Sequence, residues 1–380
     1  MEWKEVRLGD ILNFRRGHDL PHSAMKPGNI PVAGSNGVIG YHDTATPIKP
    51  ILTIGRSGNV GKPYFYEEAW AHNTTLYVDD FKGNDPKFLY YLCQTMPFAN
   101  FGGGSAVPTL NRNHIHPLET KIPVKVEDQR RIASILSSLD RKIELNNKIN
   151  ADLEEMAQAI FKNWFVDFEP FKDGKFVDSE LGMIPEGWKV GCLGDMGAVV
   201  CGKTPSKSNS NYYGGDIPFI KIPDMHGNVF VESSEDRLTE LGSLSQIKKL
   251  IPPYSLMVSC IATVGLVSIN TKPSHTNQQI NTVIPHNKSA LFYLYQYIKN
   301  NEELLKNMGR GGTTTLNVNT RSFSNIRLLI PSEIALEQFH RVVEGLFKKI
   351  ELNLHESRTL STLRDTLLPR LMSGELEVPE

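Results

Sequence analysis

Apolar residues recur along one face of a segment near the middle of the chain. From residue 127 to residue 164 there is no glycine and no proline. The apolar positions in this segment fall on alternating steps of four and three, which is the period of an α-helix with one apolar stripe. They are Ile132, Leu136, Leu139, Ile143, Leu153 and Ile160. The pattern predicts a single long helix, and at ~1.5 Å per residue it would span roughly 55 Å.

The same stripe returns near the C-terminus. Its members there are Phe339, Val343, Leu346, Ile350, Leu360 and Leu367. The pentapeptide Lys-Ile-Glu-Leu-Asn at 142–146 reappears unchanged at 349–353. Both copies interrupt the stripe with polar residues, namely Asn146 and Asn150 in the first and Asn353 and Ser357 in the second. Polar side chains at such positions fix the register of paired helices, so we expect the two helices to pack on each other as an antiparallel coiled coil.

The remaining sequence reads as one module written twice. Trp3-Lys4 opens the first copy, with Leu8-Gly9-Asp10 behind it, and Trp188-Lys189 opens the second, with Leu193-Gly194-Asp195 behind it. Each copy continues with a glycine and a polar stretch, at 17–21 and 202–206, and then with short runs of β-branched residues that predict strands. Residues 85–94 and 290–306 carry the helical period. The predicted class is α+β with an internal pseudo-twofold repeat.

The end of each module has its own sequence signal. A glycine-rich turn at 102–105 precedes Thr109-Leu110-Asn111, and one at 309–312 precedes Thr315-Leu316-Asn317. A glycine- and proline-containing connector follows the first long helix. The predicted organisation is a first module at 1–126, a first helix at 127–169, a connector at 170–187, a second module at 188–332, and a second helix with the C-terminal tail at 333–380.

Composition limits the classes of function. The chain has 380 residues, of which 40% are hydrophobic and 22% charged, as in a folded protein of two or three domains. The N-terminus lacks a signal-peptide pattern and no run of about 18 apolar residues occurs, so we expect a cytoplasmic protein. Its four cysteines show neither disulfide-frame nor zinc spacing, and its histidines form no catalytic or metal-ligand pattern. The sequence predicts no cofactor, no metal and no enzymatic activity of the chain itself.

One motif favours a different class of protein. Residues 197–204, Gly-Ala-Val-Val-Cys-Gly-Lys-Thr, satisfy the spacing of a phosphate-binding loop, which would indicate a nucleotide-dependent enzyme. Such a loop follows a buried strand and opens a helix. Here the residues between the glycines are themselves strand-like, and Pro205 with the Asn/Ser run behind it does not start a helix. We therefore interpret this stretch as a strand and a loop, with nucleotide binding as the alternative.

Two similar modules on two similar helices provide two binding surfaces at a set spacing. Duplex DNA offers matching sites, because positions one helical turn, about 34–36 Å, apart face the same side of it. The net charge of −1 means that DNA contacts must come from local basic patches. The modules differ in their middles, as at Arg15-Arg16 against Val200-Cys201, so we expect an asymmetric target. A two-headed scaffold for other proteins is a further alternative.

The candidate DNA-binding residues are loop side chains that donate or accept hydrogen bonds to base edges and phosphates. In the first module they are Arg15, Arg16, Asn36, Arg56, Ser57, Asn59, Lys62 and Asn73. In the second module they are Lys203, Lys207, Lys221, Asn277, Gln278, Gln279 and Arg310.

Several stretches together resemble the specificity subunit of type I restriction-modification enzymes, over essentially the whole chain. They are Trp188-Lys189, residues 202–206 and 215–220, Glu127-Asp128-Gln129-Arg130-Arg131-Ile132, Trp164-Phe165-Val166-Asp167-Phe168, and residues 368–376. The chain departs from the resemblance at Leu336-Glu337-Gln338, which lacks the basic pair that follows Gln129.

The resemblance implies two target-recognition domains that bind a bipartite double-stranded DNA site. It also implies two methyltransferase subunits seated on the chain, with restriction and translocase subunits in the full complex and no catalysis by this chain. We expect the methyltransferase contacts on the outer faces of the two helices and near their ends, where aromatic and leucine side chains would need a partner. The end residues are Phe161, Trp164, Phe165, Leu367 and Leu371.

Overall fold

The structure is a computed structural model that describes residues 1–103, 108–310 and 316–378. The chain divides into two compact units. Unit 1 consists of Met1–Glu144 and Arg358–Glu380, and unit 2 consists of Leu145–Ser357. Parts of the predicted glycine-rich turns, Gly104-Ser105 and Gly311-Gly312, and Thr315 of the second Thr-Leu-Asn word lie outside the described residues. None of the described helices has both the length and the apolar character that crossing a membrane requires.

Unit 1 contains short strands, short helices and segments of both long helices. Its strands are β1 (Trp3–Arg7), β2 (Asn13–Arg16), β3 (Ile30–Gly34), β4 (Gly37–His42), β5 (Ile51–Gly55), β6 (Pro63–Tyr66), β7 (Trp70–Ala71), β8 (Thr75–Asp80) and β9 (Glu119–Pro123). Its helices are α1 (Leu8–Ile11), α2 (Pro86–Thr95), α3 (Arg112–Ile115) and the first part of α4 (Val126–Phe165).

Unit 2 has the same kinds of element. Its strands are β10 (Phe176–Val177), β11 (Ile184–Pro185), β12 (Lys189–Cys192), β13 (Gly197–Cys201), β14 (Tyr213–Ile220), β15 (Phe230–Val231), β16 (Arg237–Leu238), β17 (Leu256–Ser259), β18 (Val267–Asn270), β19 (His275–Thr276), β20 (Ile280–Pro285) and β21 (Arg327–Ile330). Its helices are α5 (Leu193–Met196), α6 (Ile222–Met225), α7 (Glu240–Leu244), α8 (Leu291–Asn300), α9 (Glu302–Gly309), α10 (Thr320–Ser324) and most of α11 (Glu333–Ser373).

The sheets of the two units have the same strand order. In unit 1 the described strands form the sheets β2-β8-β5-β6, β4-β3-β7 and β1-β9. In unit 2 the corresponding sheets are β13-β20-β17-β18-β15, β16-β14-β19 and β12-β21. In each three-stranded sheet the central strand is parallel to one edge strand, β3 to β7 and β14 to β19. The predicted internal repeat and the α+β class are confirmed, and β15 at the sheet edge is the main addition in unit 2.

Backbone hydrogen bonds correct one part of the predicted alignment between the modules. The amide of Leu110 donates to the carbonyl of Arg56, and the amide of Val318 donates to the carbonyl of Cys260 in the same way. Asn111 caps α3, and Asn319 caps α10. The predicted match of Thr109-Leu110-Asn111 with 315–317 is therefore wrong by two residues. The identical residue letters occur two positions before the structurally equivalent residues of the second module.

The predicted long helices are confirmed as α4 and α11, and their polar interruption joins them inside unit 2. Asn353 Nδ2 donates to Asn150 Oδ1 at 2.9 Å, and Asn146 Nδ2 donates to Ser357 Oγ at 3.2 Å. Asn146 Nδ2 also lies 2.8 Å from Glu356 Oε2. As residue numbers fall along α4 they rise along α11, which is the predicted antiparallel packing. Each amide is buried, so these bonds replace hydration that the side chains have lost.

In unit 1 the helix pair is tied to the module by one carboxylate. Asp140 of α4 accepts from Arg364 Nη1 of α11 at 2.8 Å and from the hydroxyl of Tyr91 in α2. Burial, followed by the hydrogen bond to Asp140, raises the pKa of Tyr91 far above its ordinary value, so the hydroxyl remains a donor. Three elements of unit 1 therefore meet at Asp140.

The start of α4 explains one of the stretches that carry the family resemblance. Gln129 is buried, its Oε1 accepts from the amide of Asp85 at 2.9 Å, and its Nε2 donates to Pro123 O at 3.1 Å. By the constant offset of the shared pentapeptide, the equivalent residue in α11 is Leu336, which is buried, whereas Gln338 is exposed. The departure noted at 336–338 is thus a replacement of a buried amide by leucine.

The two ends of the described chain lie together in unit 1. The Met1 ammonium is 3.8 Å from Glu377 Oε1. A Cβ added to Gly374 would lie 2.9 Å from Trp3 Cε2, so the indole packs directly over that glycine. Met1 and Trp3 also pack against the core of unit 1, to which Leu371 and Met372 of α11 contribute.

Candidate nucleic-acid interface

In each unit, a glycine directly after β2 or β13 lies against the loop that precedes the neighbouring strand, β8 or β20. We call this contact the loop crossing. The amide of Gly17 donates to Thr75 O at 3.0 Å, and the amide of Gly202 donates to Ile280 O at 3.1 Å. A Cβ at Gly17 would lie 2.1 Å from His72 O, and one at Gly202 would lie 2.2 Å from Asn277 O. No side chain fits at such distances, so both crossings require glycine.

The crossing also decides the phosphate-loop alternative. Gly197–Cys201 forms β13, paired antiparallel with β20, so the residues between the motif's glycines are a strand. Lys203 is exposed and its amide donates to Thr276 O at 2.9 Å. The next helical turn is the three-residue 3₁₀ helix Ser210–Tyr212, so no α-helix N-terminus faces the loop. The nucleotide-binding alternative is wrong, because Gly202 serves the loop crossing.

An amide side chain occupies matched positions next to each crossing. Asn73 Nδ2 donates to Asp19 Oδ1 in unit 1. In unit 2 the equivalent residue is Gln278, whose Oε1 accepts from Thr204 Oγ1 at 2.7 Å. In both units the partner is the second residue after the crossing glycine. Gln278 is exposed and Asn73 is half-buried, so each amide retains atoms that are available to a base edge.

Unit 1 carries a cleft that we call the arginine cleft. It has a volume of about 430 Å³ and is lined by Arg15, Arg16, Arg56, Leu76, Thr109, Leu110, Asn111 and Arg112. Arg15 and Arg16 have distant carboxylate neighbours, at 3.8 Å from Asp79 and 3.7 Å from Asp19 respectively. Arg112 is not among the predicted DNA-binding residues, although it directly follows the repeated tripeptide Thr109-Leu110-Asn111.

Arg56 differs from its neighbours in being held by its backbone and not by a side-chain partner. Its amide donates to Thr74 O at 2.8 Å, and its carbonyl accepts from the amide of Leu110 at 2.8 Å. Within the described residues its guanidinium has no ion pair. Burial, and then the neighbouring charge of Arg16, lower the pKa of Arg56 from its ordinary value.

The remaining unit 1 candidates lie on two neighbouring turns. Asn36 is in the two-residue turn between β3 and β4, whereas Ser57, Asn59 and Lys62 follow β5. The turns approach each other, since a Cβ at Gly58 would lie 3.6 Å from Ser35 Oγ. Lys62 Nζ lies 5.5 Å from the ring centroid of Tyr64. The structure therefore places these predicted residues on two neighbouring turns, one of which directly follows Arg56 of the arginine cleft.

The unit 2 candidates are less uniform. Asn277 is buried and its Nδ2 donates to Gln279 Oε1 at 2.9 Å, so both amides are occupied in shaping their own loop. Lys221 lies 2.6 Å from Asp236 Oδ2, and this hydrogen bond raises the pKa of the lysine.

Two further unit 2 candidates lie outside this loop. Lys207 is exposed in the loop after Pro205, and Arg310 follows α9, where its Nη1 donates to Asn307 Oδ1 at 2.8 Å. No described hydrogen bond joins either of them to Gln278. Of the predicted unit 2 set, Lys203 and Gln278 therefore lie together at the crossing.

At the positions matched to the four arginines of the arginine cleft, unit 2 has uncharged side chains. The shared strand order and backbone bonds match Arg15, Arg16, Arg56 and Arg112 with Val200, Cys201, Cys260 and Thr320. Cys260 is buried, and burial raises the pKa of its thiol to about 11. Thr320 Oγ1 donates to Asn281 Oδ1 at 3.0 Å. Uncharged side chains thus occupy the four positions that hold arginine in unit 1.

The residues predicted to bind partner subunits contribute to the cores of their own units. Phe161 and Phe165 belong to the core of unit 2, and Trp164 packs against it. Leu371 belongs to the core of unit 1, and Leu367 packs against that core. Phe161, Phe165 and Leu371 are thus buried within their units, whereas Trp164 and Leu367 remain partly exposed, and their contact with partner subunits stays a prediction.

Comparison with known families defines the class of this protein. The model for the type I restriction modification DNA specificity domain matches residues 1–155 and again residues 185–360. These two matches fall on the two copies of the repeat, and together they cover most of the chain. The chain therefore belongs to the type I restriction-modification DNA specificity family.

Individual relatives agree with this assignment. The chain is 40% identical to the HindI specificity subunit of Haemophilus influenzae, over 98% of this chain and 94% of the relative. It is 32% identical to the MjaIX specificity subunit of Methanocaldococcus jannaschii, over 77% of this chain and 70% of the relative. The fold is similar to that of the type I S subunit from M. genitalium, with a TM-score of 0.64 at 14% identity and coverage of 98% and 96% of the two chains.

Proposed function

We propose that this chain is the DNA-recognition subunit of a type I restriction-modification enzyme and that it catalyses no step itself. Unit 1 binds one half of a bipartite double-stranded site and unit 2 binds the other half. The proposal is carried by one observation, which is that two units of the same topology present different side chains at matched positions around the loop crossing. We expect it to act in the cytoplasm.

Base recognition is assigned to the matched amides. Asn73 and Gln278 each project from a loop whose backbone is fixed by the crossing, and each is oriented by one side-chain hydrogen bond. Asparagine and glutamine can pair with adenine through its N6 and N7 atoms, so a fixed amide in each unit is a suitable reader of base sequence. The shared backbone holds these side chains in place. The side chains that differ between the units determine which base sequence each half-site has.

We assign the spacing between half-sites to the two long helices. The full chain is to be co-expressed with its methyltransferase subunit, and the methylated DNA sequenced. We expect one non-palindromic motif made of two specified parts around an unspecified spacer of fixed length. Methylation without a motif, or within one continuous motif, would contradict the proposal. In binding assays with duplexes of varied spacer length, a scaffold that does not read DNA would show no optimum.

A second variant tests the spacer directly. Removing seven residues at facing positions of α4 and α11 keeps the apolar stripe in phase and shortens each helix by about 10.5 Å. That is the rise of about three base pairs of B-DNA. We expect the unspecified spacer to shorten while both specified parts remain. An unchanged spacer would show that the helices do not set it.

We place the methyltransferase subunits on the outward faces of α4 and α11. Apolar side chains there are about half exposed, including Leu145, Met156 and Leu352, and such residues gain contact area when a partner covers them. Leu352→Glu should reduce co-purification with the methyltransferase subunit. Leu241→Glu is a matched control, because Leu241 is 53% exposed and Leu352 is 56% exposed, but Leu241 lies on the short helix α7. Equal co-purification of the two variants would remove this assignment.

A further inference from the structure

Unit 1 has a basic cleft that its counterpart in unit 2 lacks, and this difference has a consequence for how DNA is held. Resting on the proposed DNA-binding function, we infer that the arginine cleft is the seat of a backbone phosphate in the half-site bound by unit 1. Unit 2 has no such seat. Unit 1 therefore supplies the larger sequence-independent, electrostatic part of DNA binding.

The composition of the cleft favours an anion. Four arginines are among the residues that line a space of about 430 Å³, and one of them, Arg112, donates from Nη1 to Phe14 O at 3.2 Å. The nearest carboxylates, Asp79 and Asp19, stand 3.8 and 3.7 Å from the arginines they approach, at the outer limit for an ion pair. Like charges brought together without close counter-ions repel, and an anion between them removes that repulsion. Two oxygens of a phosphate can accept two parallel hydrogen bonds from one guanidinium, which a lysine cannot reproduce.

The geometry of Arg56 makes it the residue on which the seat depends. Its backbone amide donates to Thr74 O at 2.8 Å, and its carbonyl accepts from the amide of Leu110 at 2.8 Å. These two bonds fix the position of the backbone that carries the side chain. It is half-buried and has no ion pair among the described residues. A guanidinium that is already partly dehydrated loses little further hydration when it binds a phosphate.

Unit 2 provides the internal comparison. At the position of Arg56 it has Cys260, held by the same two backbone bonds but with a buried thiol. At the position of Arg112 it has Thr320, which donates to Asn281. The same scaffold therefore exists with and without the charges. The difference in phosphate binding follows from side chains alone, because the backbone arrangement is shared.

The test measures how salt changes DNA binding by the complex of the full chain with its methyltransferase subunits. The probe is the duplex identified by methylation sequencing. For Arg56→Gln we expect binding about tenfold weaker or more, by a similar factor for every base substitution in the half-site. We also expect the slope of log K against log salt concentration to fall by about 0.9, the value for one phosphate. Cys260→Ser is the matched control in unit 2 and should leave the slope unchanged.

Neutral methylphosphonates placed one at a time along the unit 1 half-site locate the contact. At one position the neutral linkage should weaken the wild type and leave Arg56→Gln unaffected, so that the two proteins bind equally. If Arg56→Gln instead relaxes the preference at one base while the salt slope stays constant, Arg56 reads a guanine and the phosphate seat is refuted. An Arg56→Gln complex that binds as the wild type does also refutes it. Loss of sequence-dependent binding by the wild type itself would overturn the proposed function instead.

Discussion

Replacing Asn353 with alanine measures what the buried polar contacts between the long helices contribute to stability. Asn353 is 1% exposed, and its Nδ2 donates to Asn150 Oδ1 at 2.9 Å. Alanine removes the donor and leaves a buried oxygen without a partner, which costs about 1–3 kcal/mol. Alanine also has the better helix propensity, and this offsets roughly 0.5 kcal/mol of the loss. We expect the free energy of unfolding to fall by about 1.5 kcal/mol.

Equilibrium urea denaturation followed by far-ultraviolet circular dichroism provides the measurement. Asn147→Ala is the matched control, because Asn147 is an exposed asparagine on the neighbouring helix α4. The control gains helix propensity without losing a buried bond, so its midpoint should rise slightly. If Asn353→Ala and Asn147→Ala shift the midpoint equally, the buried amide contributes nothing and the reasoning is refuted.

A third variant separates stability from register. In the double variant Asn150→Leu with Asn353→Leu, both partners are apolar, so no buried polar atom of that pair is left without its bond. We expect the midpoint of the double variant to recover to at least that of the wild type. The spacer length in methylated DNA should become less uniform, because an apolar stripe without polar residues permits alternative registers.

Three further predictions follow from other sites. Burial lowers the pKa of His275 from 6.5 to about 4, so the stability that its neutral form contributes is complete above pH 6.5 and is lost as the pH falls towards 4. The loss in free energy of unfolding, up to about 3 kcal/mol, should be smaller in His275→Gln when wild type and variant are unfolded in urea across this pH range. Asn73→Ala should relax base preference at one position of one half-site and Gln278→Ala at one position of the other, as read by sequencing methylated DNA, whereas a uniform loss of methylation would indicate phosphate contacts. Gly202→Ala should lower the melting temperature, because its Cβ would lie 2.2 Å from Asn277 O, whereas Gly345→Ala, with no atom within 4 Å of the new Cβ, should raise stability by about 1 kcal/mol.

The parts of the fold that the sequence predicts are those set by local periodicity. The segment without glycine or proline at 127–164 predicts α4, which spans Val126–Phe165, whereas the predicted helix segment 127–169 ends four residues beyond it. The shared pentapeptide predicts the buried amides, because a helix places residues four apart on the same face. The phosphate-loop motif could be rejected before the structure, since Pro205 and its neighbours do not form a helix.

The parts that the sequence could not predict depend on which loops meet. The arginine cleft joins residues 15, 16, 56 and 112, and no spacing rule connects positions so far apart in the chain. Asn277 and Gln278 are adjacent polar residues of similar chemistry, yet one is buried and the other exposed. The aromatic residues at the end of α4 suggested an outside partner because the sequence does not show that Tyr293 of α8 and Trp188 pack against Phe165. In each case the missing information was the path of a loop over a sheet.

The contact between the chain's two ends has a consequence for how the polypeptide may be rearranged. The Met1 ammonium and the Glu377 carboxylate are 3.8 Å apart, and Trp3 covers Gly374. A short peptide that joined residue 1 to residue 378 would close the described chain into a ring. New termini opened between residues 172 and 174, ahead of β10, would leave each described β-sheet uncut. Such a circular permutant should fold and recognise the same DNA, because the contacts within each unit, and not the order of the two units along the chain, stabilise the fold.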